Sequence, residues 1–350
     1  MRVVAKRVSN KPISRRKFLR RCGQGAVALG AASCLPGVEG EWGSCQETDG
    51  GSPPVPESNR VIQVYSAEVL DPQTFEVRPD ELARMLQAGL ESLTGKASPA
   101  EAWGQVLAGR NPVEPIGLKV NALNPRVPTS PGLVGQLARS LTTLAGIPPE
   151  EIFAWDRTEL ELRQAGITSE SVGVACRGTQ LSHDDSSGPG YETEPVCLSG
   201  QNIQLARLLT AEAAHLVNVS VMKNHKAAGF SGCLKNHYGS FPNPGDFHEG
   251  IEEHVARLNV LSPIASTSRL FIIDALKGVC IGDTDGPADC APSMLLLSFD
   301  PVAIDRRGLE IRDQMREQKG EAKGLPAPYL ELAEDLGLGT NDYELVALDL

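Results

Sequence analysis

The sequence predicts an α/β fold, a mostly parallel sheet with helices on both faces, and three observations lead there. Short apolar runs alternate along the chain with segments of helical spacing, the order that builds a parallel sheet covered on both sides. Several of those runs deliver polar residues at their carboxyl ends: Lys119-Val120-Asn121, Asp156, Lys223-Asn224-His225, Asp274 and Asp300. The helical segments carry their own start and stop signals. Arg78-Pro79, Ser98-Pro99 and Asp300-Pro301 place Pro at a first helical position, and Gly166 and Gly337 stand where helices close.

In chain order, Val61–Ala67 reads as the first strand and Pro79 opens a helix to Leu93, followed by a second from Pro99 to Leu107. Ile116–Val120 is a short strand, Pro131–Leu144 an amphipathic helix closed by Gly146, and Glu151–Trp155 the next strand. Leu160–Ala165 is helical with Gly166 as its cap. The pattern weakens from Val172 to Pro195, where His183-Asp184-Asp185 reads as a solvated turn. A helix over Asn202–Ala213 then leads into an apolar strand, Ala214–Met222. Glu249–Leu261 is helical, Leu270–Ile273 and Leu295–Phe299 are strands, and Asp300 caps a helix running to Arg316. A helix over Pro328–Leu336 and a strand over Glu344–Leu348 end the chain, with no internal repeat.

Charge divides the chain unevenly. Residues 1–34 hold nine Lys or Arg and no acid, which leaves 24 basic against 44 acidic residues in the remainder. Within the basic region, Ser14-Arg15-Arg16-Lys17-Phe18-Leu19-Arg20 and the Ala- and Gly-rich stretch from Gly23 to Leu35 resemble a bacterial twin-arginine export signal. That stretch is too short and too rich in Gly to span a membrane as a permanent helix. The resemblance implies passage through the twin-arginine translocase, an extracytoplasmic location, and cleavage after Ala31-Ala32-Ser33; Cys34 would be a lipid anchor in the lipoprotein variant of such signals. Residues 35–59, Gly, Pro, Ser and acid, read as a disordered tether, and the fold begins near Arg60. The acidic remainder excludes nucleic acid as a partner and disfavours anionic membrane surfaces.

Six cysteines follow the basic region, Cys45, Cys176, Cys197, Cys233, Cys280 and Cys290, and none forms a C-x-x-C pair, so no iron–sulfur or zinc-ribbon spacing is present. Cys280 and Cys290 flank a Gly/Asp loop and are candidates for a disulfide. Cys233 is a ligand, a nucleophile or a small buried residue.

The chemistry concentrates in Val217–His248, which contains three of the six histidines. The strand ending at Met222 presents Lys223, Asn224, His225 and Lys226. A loop with Gly229, Ser231 and Gly232 follows, then Lys235, Asn236 and His237 before the break at Gly239. Lysines and small-residue backbone at the carboxyl end of a strand suit a negatively charged ligand, and the histidines add the option of a metal. His225, Lys223 and Lys235 are the candidate catalytic residues. Lys119, Asn121, Gly229, Gly232, Asn236, Asp300 and Asp305 are candidates for binding a ligand or organic cofactor. For a divalent or transition metal, His225, His248 and Asp274 form a mixed N/O set that leaves an open position.

Assembled, these strand ends resemble the bacterial and archaeal family called domain of unknown function 362. The matching elements are Lys119 and Asn121, Asp156, Gly166-Ile167, Lys223, His225, Gly229, Leu234-Lys235-Asn236 and Gly239. Asp274-Ala275 and Ser298-Phe299-Asp300-Pro301-Val302-Ala303-Ile304-Asp305 complete the series, over about residues 60 to 340. The family carries no assigned chemistry. Some members bear a ferredoxin-like module, a loose link to redox chemistry whose cysteines this chain lacks. His225–Lys235 is also locally similar to the nickel-pincer loop of lactate racemase-type enzymes, with Cys233 where that loop has its second paired Gly.

Two functional classes follow. One is an exported enzyme acting on a small anionic substrate, a carboxylate or phosphate neutralised by Lys119, Lys223 and Lys235, with His225 as acid/base or metal ligand. The other is a periplasmic anion- or cofactor-binding protein without catalysis. The chain has no G-x-G-x-x-G after a strand, no P-loop, no H-E-x-x-H and no G-x-S-x-G, which disfavours Rossmann dehydrogenases, P-loop ATPases, zincins and esterases with a nucleophile elbow.

Overall fold

The fold was analysed in a computed structural model that describes residues 2–8, 45 and 58–350. The twin-arginine motif, the apolar stretch behind it, Cys34 and most of the tether lie outside the described residues.

The elements in chain order are β1 (Arg2–Val8), β2 (Arg60–Tyr65), α1 (Pro79–Thr94), α2 (Pro99–Val106), β3 (Ile116–Lys119), α3 (Pro131–Arg139), β4 (Ile152–Thr158), α4 (Glu159–Gln164) and α5 (Ser169–Val172). Then come β5 (Ala175–Gln180), β6 (Val196–Leu198), β7 (Gln201–Ile203), β8 (His215–His225), β9 (Gly229–Ser231), α6 (Cys233–Asn236), α7 (Ile251–Val260) and α8 (Ser262–Ala265). The series closes with β10 (Ser268–Val279), β11 (Met294–Ser298), α9 (Pro301–Gln318), α10 (Tyr329–Asp335) and β12 (Tyr343–Asp349). The main sheet has the order β1-β12-β2-β11-β10-β8-β3-β4-β5, with β9 folded back on β8. Strands β10, β8, β3, β4 and β5 run parallel, as do β12 and β2, whereas β1, β9 and β11 are antiparallel to their neighbours.

The alternation of side chains along each strand feeds two cores, one on each face of the sheet. Ile272 of β10 and Leu118 of β3 join α1, α2 and α3 on one side, while Ile273 and Trp155 join α7, α9 and α10 on the other. The expected parallel sheet covered on both faces is therefore present. On the α1 side Trp103 is fully buried, and its indole N–H donates to Ser140 Oγ at 2.8 Å. Burying a side chain of this kind stabilises by about 1.5–3 kcal/mol or more.

Most strands and helices fall within two or three residues of expectation, and the exceptions have physical causes. The helix expected over Asn202–Ala213 is instead β7, a link, and a single wide turn over Leu208–Glu212. Ser199 and Gly200, both in the left-handed region at φ 50° and 83°, turn β6 into β7 as a hairpin. Cys197 of that hairpin forms a disulfide with Cys45, so one residue of the expected tether is fixed to the fold. β5 escapes a search for apolar runs because it is a sheet edge with half-exposed positions. β1, at the head of the basic region, pairs with β12 in register from Arg2 opposite Asp349 to Val8 opposite Tyr343.

The second disulfide, Cys280–Cys290, closes the Gly/Asp loop after β10. Inside it, Asp289 accepts from the backbone N–H groups of Cys280, Ile281 and Gly282 at 2.6, 3.0 and 2.8 Å. Replacing both cysteines by serine is expected to cost about 3 kcal/mol, the loop-closure entropy of so short a ring. Urea unfolding with and without reductant reads it, and equal midpoints would contradict the assignment.

Candidate functional site

β3 is followed by α3 on one face of the sheet, and β8 leads to α7 on the other. Adjacent parallel strands whose connections diverge in this way leave a crevice at their carboxyl ends, the usual place for a ligand in open α/β sheets. A recess of about 650 Å³, its mouth included, opens here. Asn121 after β3, Asp156 of β4, Lys223 and His225 of β8, Lys235 and Asn236 of α6, Tyr238 and His248 line it.

At the floor of the recess lies a buried ion pair. Lys119 Nζ donates to Asp156 Oδ1 at 2.7 Å and to the Val120 carbonyl at 2.8 Å, and Asp156 Oδ2 accepts from Ala122 N at 2.7 Å. Lys119 has no exposed surface and does not itself line the recess, so its role is to fix Asp156 and the turn after β3. Gly239 lies over this pair; a Cβ there would collide with Asp156 Oδ1, which accounts for a glycine at that point.

A row of amides connects the pair to the lysines. Lys223 Nζ donates to Asn121 Oδ1 at 2.7 Å, Asn121 Nδ2 to Asn236 Oδ1 at 3.3 Å, and Asn236 Nδ2 to Asn218 Oδ1 at 2.8 Å and to the Lys119 carbonyl at 3.2 Å. Asn218 Nδ2 in turn donates to the Cys233 carbonyl at 2.9 Å, tying α6 to β8. Burial lowers the Lys223 ammonium to about 7 against the pull of Asp156 and Asp274. Lys235 is also lowered to about 7 by burial, with Asp283 opposing. Its Nζ sits 4.1 Å over the Tyr238 ring and has no hydrogen-bond acceptor among the described residues.

His225 Nδ1 accepts from the backbone N–H groups of Ala227 and Ala228, both at 3.1 Å, so the ring proton is on Nε2. Burial, with Lys235 and His248 adding to it, lowers this imidazole to about 3, leaving it neutral at physiological pH. His248 stacks on it with centroids 5.5 Å apart, and its Nδ1–H donates to the Pro244 carbonyl at 3.0 Å. The recess therefore offers two amines lowered to about 7 and an imidazole N–H. Its carboxylates are occupied: Asp156 by Lys119, Glu161 by Arg157.

Of the residues proposed from sequence, Lys223, Lys235, His225, His248, Asn121 and Asn236 converge on this recess. The others do not. Asp274 Oδ2 accepts from Ser130 N at 2.8 Å and Oδ1 from Leu276 N at 3.0 Å, and it does not line the recess. The set His225, His248 and Asp274 therefore does not assemble as a metal centre. Among the described residues the one trio of ligand atoms within 4.8 Å is Cys280, Asp289 and Cys290, whose sulfurs are joined in the disulfide and offer no thiolate. Asp300 is not a ligand-binding residue but the N-cap of α9: Oδ1 accepts from Val302 N and Ala303 N, both at 2.9 Å, and Oδ2 from Thr340 N at 3.0 Å.

Gly229 and Gly232 serve close packing rather than an anion. Gly229 has φ 78° and presses on the Pro326 carbonyl, and Gly232 presses on Asp305. Asp305, expected to bind a cofactor, accepts from Cys233 N at 2.6 Å and Leu234 N at 3.0 Å and so positions the turn that carries Lys235. Asp305→Ala leaves two buried amides without an acceptor, at about 1–3 kcal/mol each. Urea unfolding is expected to show a loss of about 2–5 kcal/mol for this variant, and a loss below about 1 kcal/mol would contradict that role. Cys233 is fully buried with its Sγ 3.2 Å from Ser220 Oγ, and burial raises its thiol well above the usual range, so it is the inert alternative of the three.

Sequence reasoning missed Tyr238, the aromatic floor under Lys235, and placed Asp156 only as a strand end. A Tyr three residues after a Lys on a short helical turn is the signal that was available.

An α/β protein with a basic recess at the carboxyl edge of its parallel strands is the class these features define. The domain of unknown function family DUF362 matches residues 116–310, more than half of the chain, and the chain belongs to it. That match takes in every residue that converges on the recess. No curated protein matches significantly. A crystal structure of a Thermotoga maritima protein, from a structural genomics consortium, is similar at 13% identity and a TM-score of 0.39. The similarity covers 69% of this chain and 60% of that one.

Proposed function

We propose that this chain is an enzyme acting on a small carboxylate- or phosphate-bearing substrate in the recess between β3 and β8. The observation that carries the reading is Lys235: more than nine-tenths buried, lining the recess, and without an acceptor among the described residues. A buried amine held in this way has Asp283 acting on it only through space, and an anionic ligand supplies the counter-charge in contact. Lys223, directed by Asn121, is the second positive contact, and the His225 N–H and Asn236 complete the polar set. Amines that titrate near neutrality exchange protons as well as bind, which favours an enzyme over a passive carrier.

Export by the twin-arginine route belongs to this proposal. The two disulfides support an oxidising compartment. Among the described residues no helix is long and apolar enough to cross a membrane.

Thermal melts of the wild-type protein with phosphate and a panel of small carboxylates at pH 6 to 7 test the reading. A ligand-dependent rise that is lost in Lys223→Gln and Lys235→Gln supports it, and equal rises in both variants would overturn it. His225→Gln then separates the two classes, since in an enzyme it keeps binding and loses turnover.

The pH dependence has a defined sign. Both lysines are lowered to about 7 in the fold, whereas unfolded lysines titrate near 10. Between those values the unfolded chain binds more protons, so stability conferred through these groups rises with pH from about 7 to about 10. Below 7 the cost of two buried ammoniums is fully present. Anion affinity runs the other way, strongest below 7 and falling as pH rises through it. Paired melts at pH 6 and 9, with and without phosphate, check both trends.

A further inference from the structure

The two amines of the recess have different surroundings, and the difference suggests a division of labour. Lys223 Nζ is held by Asn121 Oδ1 at 2.7 Å, and Asp156 and Asp274 act on it through space, all favouring an ammonium. Lys235 has no hydrogen-bond acceptor among the described residues; it has the Tyr238 ring at 4.1 Å, with Asp283 acting on it through space. The carboxylates on the recess wall are already engaged, Asp156 by Lys119 and the Ala122 amide, Glu161 by Arg157 and Thr158. An amine desolvated against an aromatic ring, as Lys235 is, is an arrangement that makes a lysine a nucleophile toward carbonyl carbon. Both amines line the same recess, so one small molecule can meet both.

From this geometry, resting on the anion-site reading above, we infer that the substrate is a carboxylate with an adjacent carbonyl, a 2-oxo acid or glyoxylate-like aldehyde acid. Lys223 holds the carboxylate, and Lys235 Nζ condenses with the carbonyl to form an imine. In the first step the amine lone pair forms an N–C bond as the carbonyl π pair moves to oxygen, which takes a proton from the nitrogen. In the second, the carbinolamine loses that hydroxyl, with the remaining N–H proton, as water. One amine and one carbonyl give one imine and one water, and no oxidation or reduction occurs. When the imine carries a proton, the Tyr238 ring faces the resulting cation as it faced the ammonium.

The test is reductive trapping on the full chain. Wild-type protein is incubated with pyruvate or glyoxylate and sodium cyanoborohydride, and intact mass and peptide mapping locate the adduct. One adduct on Lys235 is expected, at least tenfold faster than on surface lysines, and it is expected to be lost in Lys235→Arg. Lys223→Arg is expected to retain the adduct site but to need a higher oxo-acid concentration. Circular dichroism confirms that each variant is folded, and protection of Lys235 by the non-carbonyl acid lactate gives a readout on the wild-type protein alone. If lactate and phosphate stabilise the protein but no adduct forms on Lys235, the imine is overturned and the anion site survives. If neither binds nor labels, both readings fail. Labelling that is equal in Lys235→Arg and wild type would assign the adduct to the surface and overturn the inference.

Discussion

Asp156→Ala is expected to destabilise the protein by about 3–5 kcal/mol, since it leaves the Lys119 ammonium buried without its partner. Lys119 has no exposed surface and packs against the Val120 carbonyl, the Trp155 ring at 5.2 Å and Gly239, and among the described residues no other carboxylate is placed to replace Asp156. The Ala122 amide loses its acceptor at the same time. Chemical unfolding of the single variant and of the double variant Lys119→Met/Asp156→Leu checks the origin of the effect. The double variant removes both charges and is expected to recover a large part of the loss, as apolar replacements of buried pairs do. A single-variant loss under about 1 kcal/mol would mean that the pair does not hold the floor of the recess.

Lys235→Met is expected to raise the stability of the ligand-free protein while abolishing its response to anions. The side chain is more than nine-tenths buried, and its only close partner is the Tyr238 ring. Methionine fills a similar volume, keeps contact with the ring and removes the buried ammonium. The gain is expected to be larger at pH 6 than at pH 9, where the wild-type amine is already neutral. A structural lysine would give the reverse, a loss of stability on substitution. Scanning calorimetry at the two pH values, with and without phosphate, separates these outcomes.

The sheet and much of the recess were legible in the sequence because both follow from local rules. Apolar runs ending in Lys119, Asp156 and Lys223 form adjacent parallel strands, so their last residues meet at one edge. Asn121 and His225, two residues beyond Lys119 and Lys223, therefore converge, and Lys235 joins them because β9 folds back on β8 and leads into α6. What failed was the assignment of acids and glycines to ligands. Asp300 and Asp305 begin the same helix and look alike in sequence, yet both spend their oxygens on backbone amides, one at its own helix N-terminus and one across the fold at Cys233. That second destination depends on how α9 packs against α6, a tertiary fact that no local pattern encodes. Asp274 likewise turns its carboxylate to Ser130 N, 144 residues away in the chain. The helix expected over Asn202–Ala213 took in the end of β7, whereas Ser199-Gly200 just before it turns the chain into a hairpin.

The most direct test of the anion site is titration calorimetry of phosphate and a small carboxylate, run at pH 6 and pH 8 in two buffers of different ionisation heat. With Lys223 and Lys235 near 7 in the free protein, an anion that requires their ammonium forms must draw protons from solution at pH 8 and almost none at pH 6. Proton uptake on binding at pH 8, weaker affinity there than at pH 6, and loss of both effects in Lys235→Met are therefore expected. Binding whose affinity and proton count are the same at both pH values, or no binding at either, would contradict the anion site.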